Sequence, residues 1–127
     1  MKPMGPLPPE FAGQTDMLRV GGREAEAWVA EAGDTPLFVY DIAIVAARIA
    51  RFRAAMPAID LHYAIKANPH ADVLAAIAPL VDGLDVASSG ELAKALGVKP
   101  AAAISFAGPG KRDDELAVAI GAGATLN

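Results

Sequence analysis

Two rhythms of apolar and polar positions alternate along this chain. From residue 35 onward, short apolar runs dense in β-favouring residues are each followed by a longer stretch with helical spacing. "PLFVYD" predicts a strand, and "IAIVAARIARFRAAM" predicts a helix that stops before Pro57. "IDLHYAIK" predicts a second strand, and "PHADVLAAIA" a helix that Pro69 opens and that runs to Pro79. "GLDVA" predicts a third strand. Ser88 or Ser89 then caps "GELAKAL", with Glu91 three residues after Ser88 at the capping-box spacing. "AAISFA" predicts a fourth strand, "KRDDELAVAIGAG" a fourth helix, and "ATLN" the start of a fifth strand.

Repeated strand–helix alternation with short connections is the pattern of parallel βαβ units, with a sheet buried on both faces. A doubly wound sheet and a closed eight-stranded barrel both remain open on this pattern. Before residue 35 the rhythm is absent. Residues 1–16 are rich in Pro and Gly and predict an extended arm or a poorly ordered tail. "MLRV" predicts a short strand, Gly21-Gly22 a tight turn, and "EAEAWVAEAG" a helix that ends at Gly33. A sheet that stops inside a strand leaves an unpaired edge, so the chain is expected to be the first part of a longer protein.

Composition removes several function classes. The net charge is −4 and the 11 Lys and Arg residues are scattered, which argues against a nucleic-acid-binding face. There is no cysteine, so disulfides and thiolate metal sites are excluded. The 2 histidines, His62 and His70, lack the spacing of a helix-borne zinc site, and no metal is expected. No apolar run reaches the length of about 18 residues that a membrane-spanning helix needs. The start, "MKPMGPLPPEFAGQTD", has no apolar middle of the kind a secretory signal carries. A soluble cytoplasmic protein is the expectation.

Candidate chemistry gathers where parallel α/β folds keep it, at the carboxyl ends of the strands. Lys66 ends the "IDLHYAIK" run. Strand alternation puts His62, Ala64 and Lys66 on one face and Leu61, Tyr63 and Ile65 on the other. The first set, small and polar, is expected to point into a barrel interior or cleft. A desolvated lysine has a lowered pKa and is a good imine-forming nucleophile. The bland alternative is a lysine that snorkels from a strand end into solvent. Asp85, one strand over, can hold the charge state of that amine or orient a bound ring. Glu91, Ser88 and Ser89 have capping as their competing role. "FAGPGKRDDE" makes a poor phosphate loop, because Arg112 follows Lys111 where a hydroxyl should stand. Its glycines suit a sharp strand-to-helix turn, and Lys111 is expected to be held by Asp114, by Glu115 or by a group not evident from the sequence.

"TPLFVYD", "HYAIKANPH", "GLDVASSGEL", "ISFAGPGKRDDEL" and "GATLN" occur in the order and spacing of one family. They resemble the N-terminal half of the pyridoxal-phosphate-dependent decarboxylases of the diaminopimelate and ornithine type, which share an alanine-racemase-like barrel. The chain also resembles decarboxylase-like proteins associated with exosortase systems. The resemblance implies an α/β fold, the N-terminal part of a parallel (β/α)8 barrel. Residues 35–127 would form the first half of that barrel, and residues 1–34 would contribute to an additional β-rich domain.

The resemblance further implies pyridoxal 5'-phosphate as cofactor, carried as a Schiff base on Lys66. Asp85 matches an acid near that lysine and the cofactor ring, and Glu91 matches a glutamate of the same motif. Ala64 and Asn68 shape the pocket. The implied reaction is decarboxylation of a small amino acid such as diaminopimelate, ornithine, lysine or arginine, by a homodimer. An amino-acid racemase and a non-catalytic relative that carries the cofactor are the alternatives. Pro69-His70 after Asn68 favours the decarboxylase. The family's later phosphate-binding loop, and the residues that complete the site across the dimer, are expected beyond Asn127. The 127-residue piece alone is therefore expected to be inactive.

Overall fold

The computed structural model describes residues 8–11 and 18–127, in two compact units, Met1–Ala47 and Arg48–Asn127. The arm expected over residues 1–16 lies outside the described residues except at 8–11, where Pro9–Phe11 makes one 3-10 turn.

In the first unit, strands β1 (Arg19–Val20) and β2 (Arg23–Glu24) form an antiparallel hairpin. Its two turn residues, Gly21 and Gly22, have φ of +61° and +73°. Successive positive φ values are what a twisted two-residue hairpin demands and what a side chain resists. Helix α1 (Ala25–Ala32) follows and ends at Gly33, as expected. The Trp28 indole donates to the Val20 carbonyl at 3.1 Å, and the Arg23 guanidinium lies 4.3 Å from the Trp28 ring centre. A groove of about 770 Å³ runs between α1 and residues 37–43; its walls include none of the candidate site residues.

"PLFVYD" is not a strand. Residues 37–41 join neither sheet, and Phe38 is 82% exposed. Apolar, β-favouring composition marks a segment for burial, but a strand exists only where a neighbour accepts its hydrogen bonds. Asp41 has a different role. Its Oδ1 accepts from the Ala43 N–H at 2.8 Å and caps helix α2 (Ile42–Ala55).

The second unit is built on a four-stranded parallel sheet of β3 (His62–Ala64), β4 (Gly83–Val86), β5 (Ile104–Phe106) and β6 (Thr125–Leu126). Helices α3 (Ala71–Ile77), α4 (Ser89–Leu96) and α5 (Asp113–Ala122) connect them. Strand order follows chain order without reversal. A doubly wound sheet reverses direction at a switch point, so sequential order selects the barrel arrangement of the two left open by the sequence.

The pleat sorts the side chains. Leu84, Val86, Ile104 and Phe106 are 0–1% exposed and lie under α4, whose Leu92 and Ala95 are buried; α5, with Ala119 buried, packs beside α4. Burying side chains of this size contributes about 1.5–3 kcal/mol each. The opposite face carries His62, Ala64, Asp85, Ser105 and Thr125, which are half-buried or exposed. The expected burial on both faces therefore holds on one face only. A barrel closes its inner face through strands that this sheet of four does not contain.

The start of α3 and the stretch after it differ from expectation. Pro69 precedes α3 instead of opening it; His70 is the cap, its Nδ1 accepting from the Asp72 N–H at 3.3 Å. The turn passes through Pro79 because Ala78–Leu80 is a 3-10 helix that tolerates proline near its start. Among the described residues, no helix is long and apolar enough to cross a membrane.

Candidate active site

The carboxyl ends of β3, β4 and β5 bring the sequence candidates to one edge of the sheet. Strand register pairs Ala64 with Asp85, Asp85 with Ser105, and Ser105 with Thr125. All four share the open face, so one row across the sheet reads Ala, Asp, Ser, Thr. The row before it pairs His62 with Gly83. Gly83 has no room for a side chain. A Cβ there would meet the His62 imidazole and would lie 2.6 Å from the Ala103 carbonyl oxygen.

Lys66 sits just beyond this row, but strand alternation does not put it there. The strand ends at Ala64, and Ile65–Ala67 makes a 3-10 turn. Three residues per turn replace the period of two, so Ile65 is fully buried and Lys66 is exposed. The desolvation expected for the amine is therefore absent from this arrangement. Among the described residues, Lys66 makes no hydrogen bond or ion pair. The chain after it is held by Asn68, whose Oδ1 accepts from the His70 N–H at 2.9 Å. The Tyr63 hydroxyl donates to the Asn68 carbonyl at 3.3 Å. Asn68 thus builds the turn that fixes where Lys66 leaves the sheet.

Asp85 is half-buried, and its Oδ1 accepts from the Ser105 hydroxyl at 2.6 Å. Glu91 is engaged in capping. Its Oε2 accepts from the Ala87 N–H at 2.7 Å, while its own N–H donates to Ser88 Oγ at 3.2 Å. In the usual box the carboxylate returns to the cap residue itself; here it reaches one residue further back and ties down the loop that follows Asp85. The structure brings Ala64 and Asp85 together by register, sets Lys66 beyond them, and turns Glu91 toward the backbone.

Sequence reasoning missed two residues here. Ser105 was hidden because pairing register cannot be read from one strand, although a serine between two buried apolar residues is a sign of an inner-face hydroxyl. Glu115, 8% exposed, is the other. Its Oε1 accepts from the Ser89 N–H at 3.1 Å and its Oε2 from the Arg112 N–H at 3.2 Å. One carboxylate thereby serves the starts of both α4 and α5. The Ser89 and Arg112 N–H groups hold it below the usual range for a glutamate. Its signal was an acid three residues into a helix. The expected pairing of Lys111 with Asp114 or Glu115 does not form. Lys111 donates instead to the Gly108 carbonyl at 2.8 Å and the Asn127 carbonyl at 2.5 Å. Gly108, at φ +101°, makes the sharp turn. With Glu115 at the α5 N-terminus and Lys111 folded onto carbonyls, the loop is closed on itself and does not form a phosphate cradle.

Comparison with known proteins agrees with this architecture. Residues 42–126 match the family model for the pyridoxal-dependent decarboxylase, pyridoxal binding domain. The chain is 39% identical over 87 residues to a 2-[(L-alanin-3-ylcarbamoyl)methyl]-2-hydroxybutanedioate decarboxylase of Staphylococcus aureus, covering 68% of this chain and 22% of that protein. A crystal structure of AQ1208 from Aquifex aeolicus superposes with a TM-score of 0.82 at 30% identity, over 94% of this chain and 30% of that one. Diaminopimelate decarboxylase from Helicobacter pylori, solved with L-lysine, superposes with a TM-score of 0.67 at 30% identity, over 80% of this chain and 27% of that one. The chain thus spans between 22% and 30% of the length of these relatives.

Proposed function

This chain belongs to the pyridoxal-dependent decarboxylases, as part of their pyridoxal binding domain, and from that premise we propose that the intact protein removes the α-carboxylate of a small amino acid, with Lys66 as the amine that condenses with the aldehyde of pyridoxal 5'-phosphate. The sheet is the N-terminal part of a parallel (β/α)8 barrel. One observation carries the reading. Lys66 lies two residues beyond the strand whose last residue, Ala64, is in register with Asp85, and its amine has no partner among the described residues.

The residues present fit such a cofactor. An accessible amine suits condensation with an aldehyde, a methyl side chain at Ala64 leaves room beside the acid, and the polar row faces an open side of the sheet. Lys66 and Asp85 would hold the cofactor, with Ala64 at its side and Glu91 keeping the loop after Asp85 in place. When bound, pyridoxal phosphate supplies an electron sink for the pair left by departing carbon dioxide. Lys66 would hold the aldehyde end of the cofactor, and as a free amine it would carry protons at the sheet's carboxyl edge. Asp85 supplies a half-buried carboxylate, tied to Ser105, at the carboxyl edge of the sheet. The turn built by Asn68 sets the orientation from which Lys66 acts, and orientation is a large part of such catalysis.

The reading includes residues 35–127 as the first half of the barrel and residues 1–34 as a contribution to a β-rich domain. It also includes a cytoplasmic homodimer and a substrate among diaminopimelate, ornithine, lysine and arginine; the family resemblance supports these. The test uses the intact protein. Added pyridoxal phosphate is expected to produce a long-wavelength absorption band that Lys66→Ala lacks, together with carbon dioxide release from one of those amino acids. Racemisation without carbon dioxide release would replace the decarboxylase with a racemase. No Lys66-dependent band would remove the reading altogether.

A further inference from the structure

The open face of the sheet holds one polar pair that the reaction above does not use. Ser105 lies at the middle of β5 and is the register partner of Asp85 on β4. Its Oγ donates to Asp85 Oδ1 at 2.6 Å. Its neighbours Ile104 and Phe106 are 1% and 0% exposed and point into the helix-covered core. The pleat therefore sends the Ser105 side chain to the opposite face, and the sheet ladder holds its Cα in place. Among the described residues, Ser105 is the sole hydrogen-bond partner of the Asp85 carboxylate.

The physical consequences are specific. A hydroxyl donating to a carboxylate at this distance forms a charge-assisted bond, stronger than one between neutral groups. A carboxylate on an open face has several staggered rotamers within reach, and tying one oxygen to a fixed strand selects among them. The second oxygen then has a fixed direction as well. Backbone N–H groups are poor substitutes for this donor, because those of β4 and β5 are taken up by the ladder.

We infer that Ser105 is a positioning residue for Asp85: its hydroxyl ties one carboxylate oxygen to β5 and leaves the other presented to the amine and cofactor at the sheet's carboxyl edge. This inference rests on the roles proposed above for Lys66 and Asp85. Ser105 itself touches neither the amine nor the substrate; it acts through the carboxylate. A threonine keeps the donor and suits a strand, whereas an alanine removes the donor and leaves the fold intact.

The test compares Ser105→Ala and Ser105→Thr in the intact protein by two independent measurements. Equilibrium titration with pyridoxal 5'-phosphate is expected to show affinity lowered about tenfold to a hundredfold in Ser105→Ala, the range for losing a hydrogen bond to a charged group. Ser105→Thr is expected to retain wild-type affinity and the wild-type absorption spectrum, with urea midpoints alike in all three cofactor-free proteins. Crystal structures of the cofactor-free proteins are expected to show one Asp85 rotamer in wild type and Ser105→Thr, and a different or divided rotamer in Ser105→Ala. An unchanged Asp85 rotamer in Ser105→Ala overturns the inference whether or not the cofactor binds. So does an affinity equal to wild type, or a Ser105→Thr protein as impaired as Ser105→Ala. A wild-type protein without a Lys66-dependent absorption band sinks the reading of Lys66 instead, and the rotamer comparison still decides the role of Ser105.

Discussion

Two sets of charged groups at opposite ends of the parallel sheet, Asp82 with Arg53 and Lys99 at one and Lys66 with Asp85 at the other, are held differently. At the amino end Asp82, Arg53 and Lys99 are all engaged. Asp82 Oδ2 accepts from the Leu61 N–H at 2.7 Å and pairs with Arg53 at 2.9 Å. Arg53 also donates to the Leu80 carbonyl at 3.3 Å, and Lys99 donates to the Val81 carbonyl at 2.8 Å. At the carboxyl end, Lys66 has no partner among the described residues and Asp85 has a single hydroxyl. An ion that only stabilises is best surrounded by partners; an ion that reacts must keep one direction free. Under the roles proposed for Lys66 and Asp85, the same sheet separates stability from chemistry along its own axis.

This contrast can be broken most sharply at Lys66. Lys66→Ala is expected to lower carbon dioxide release at saturating cofactor at least on the order of a thousandfold. Its urea unfolding is expected to stay within about 0.5 kcal/mol of wild type, since it removes an exposed, unpartnered side chain. Comparable losses of activity and stability would erase the separation. Leu84→Ala sharpens it from the buried face. Leu84 is 0% exposed, and its truncation is expected to cost about 2–5 kcal/mol in equilibrium unfolding. Gly83→Ala has a smaller cost, about 1–3 kcal/mol, from overpacking against the Ala103 carbonyl and the His62 ring. Adding His62→Ala is expected to restore only part of that loss, because the carbonyl remains.

The smallest effect is one of pH. The Leu61 N–H, with Arg53, holds Asp82 below its ordinary 3.8. A carboxylate depressed in the folded state adds stability above its unfolded value and loses it as pH falls through the folded one. The stability difference between wild type and Asp82→Asn is expected to be level above about pH 5 and to shrink as the solution is made more acid. Glu115→Gln is expected to behave likewise, since Ser89 and Arg112 N–H groups depress Glu115 in the same sense. A difference that instead grew toward acid pH would show that these carboxylates are not held ionised by the fold. Denaturant titrations across a pH series measure both variants.

Much of the architecture was legible in the chain. The parallel βα pattern, the capping of α4 by Ser88, the stop at Gly33 and the Gly21-Gly22 turn all follow from local stereochemistry. Lys66, Ala64 and Asp85 were legible as a group because the carboxyl ends of parallel strands lie together. The 3-10 turn at Ile65–Ala67 was not, since nothing in "YAIKAN" marks where the pleat gives way. "PLFVYD" misled for a related reason: its composition is that of a strand, but among the described residues no strand pairs with it.

By itself the sequence determined which segments are helical or apolar, which residues cap them, and which amine stands at a strand's end. These depend on interactions within a few residues, and local stereochemistry is carried in the order of side chains. Only the tertiary structure decided that strand order runs without reversal, that Ser105 lies against Asp85, and that Glu115 reaches from its own helix to Ser89, 26 residues earlier, at the start of α4. Register between strands is a property of two segments at once, and neither segment carries it alone.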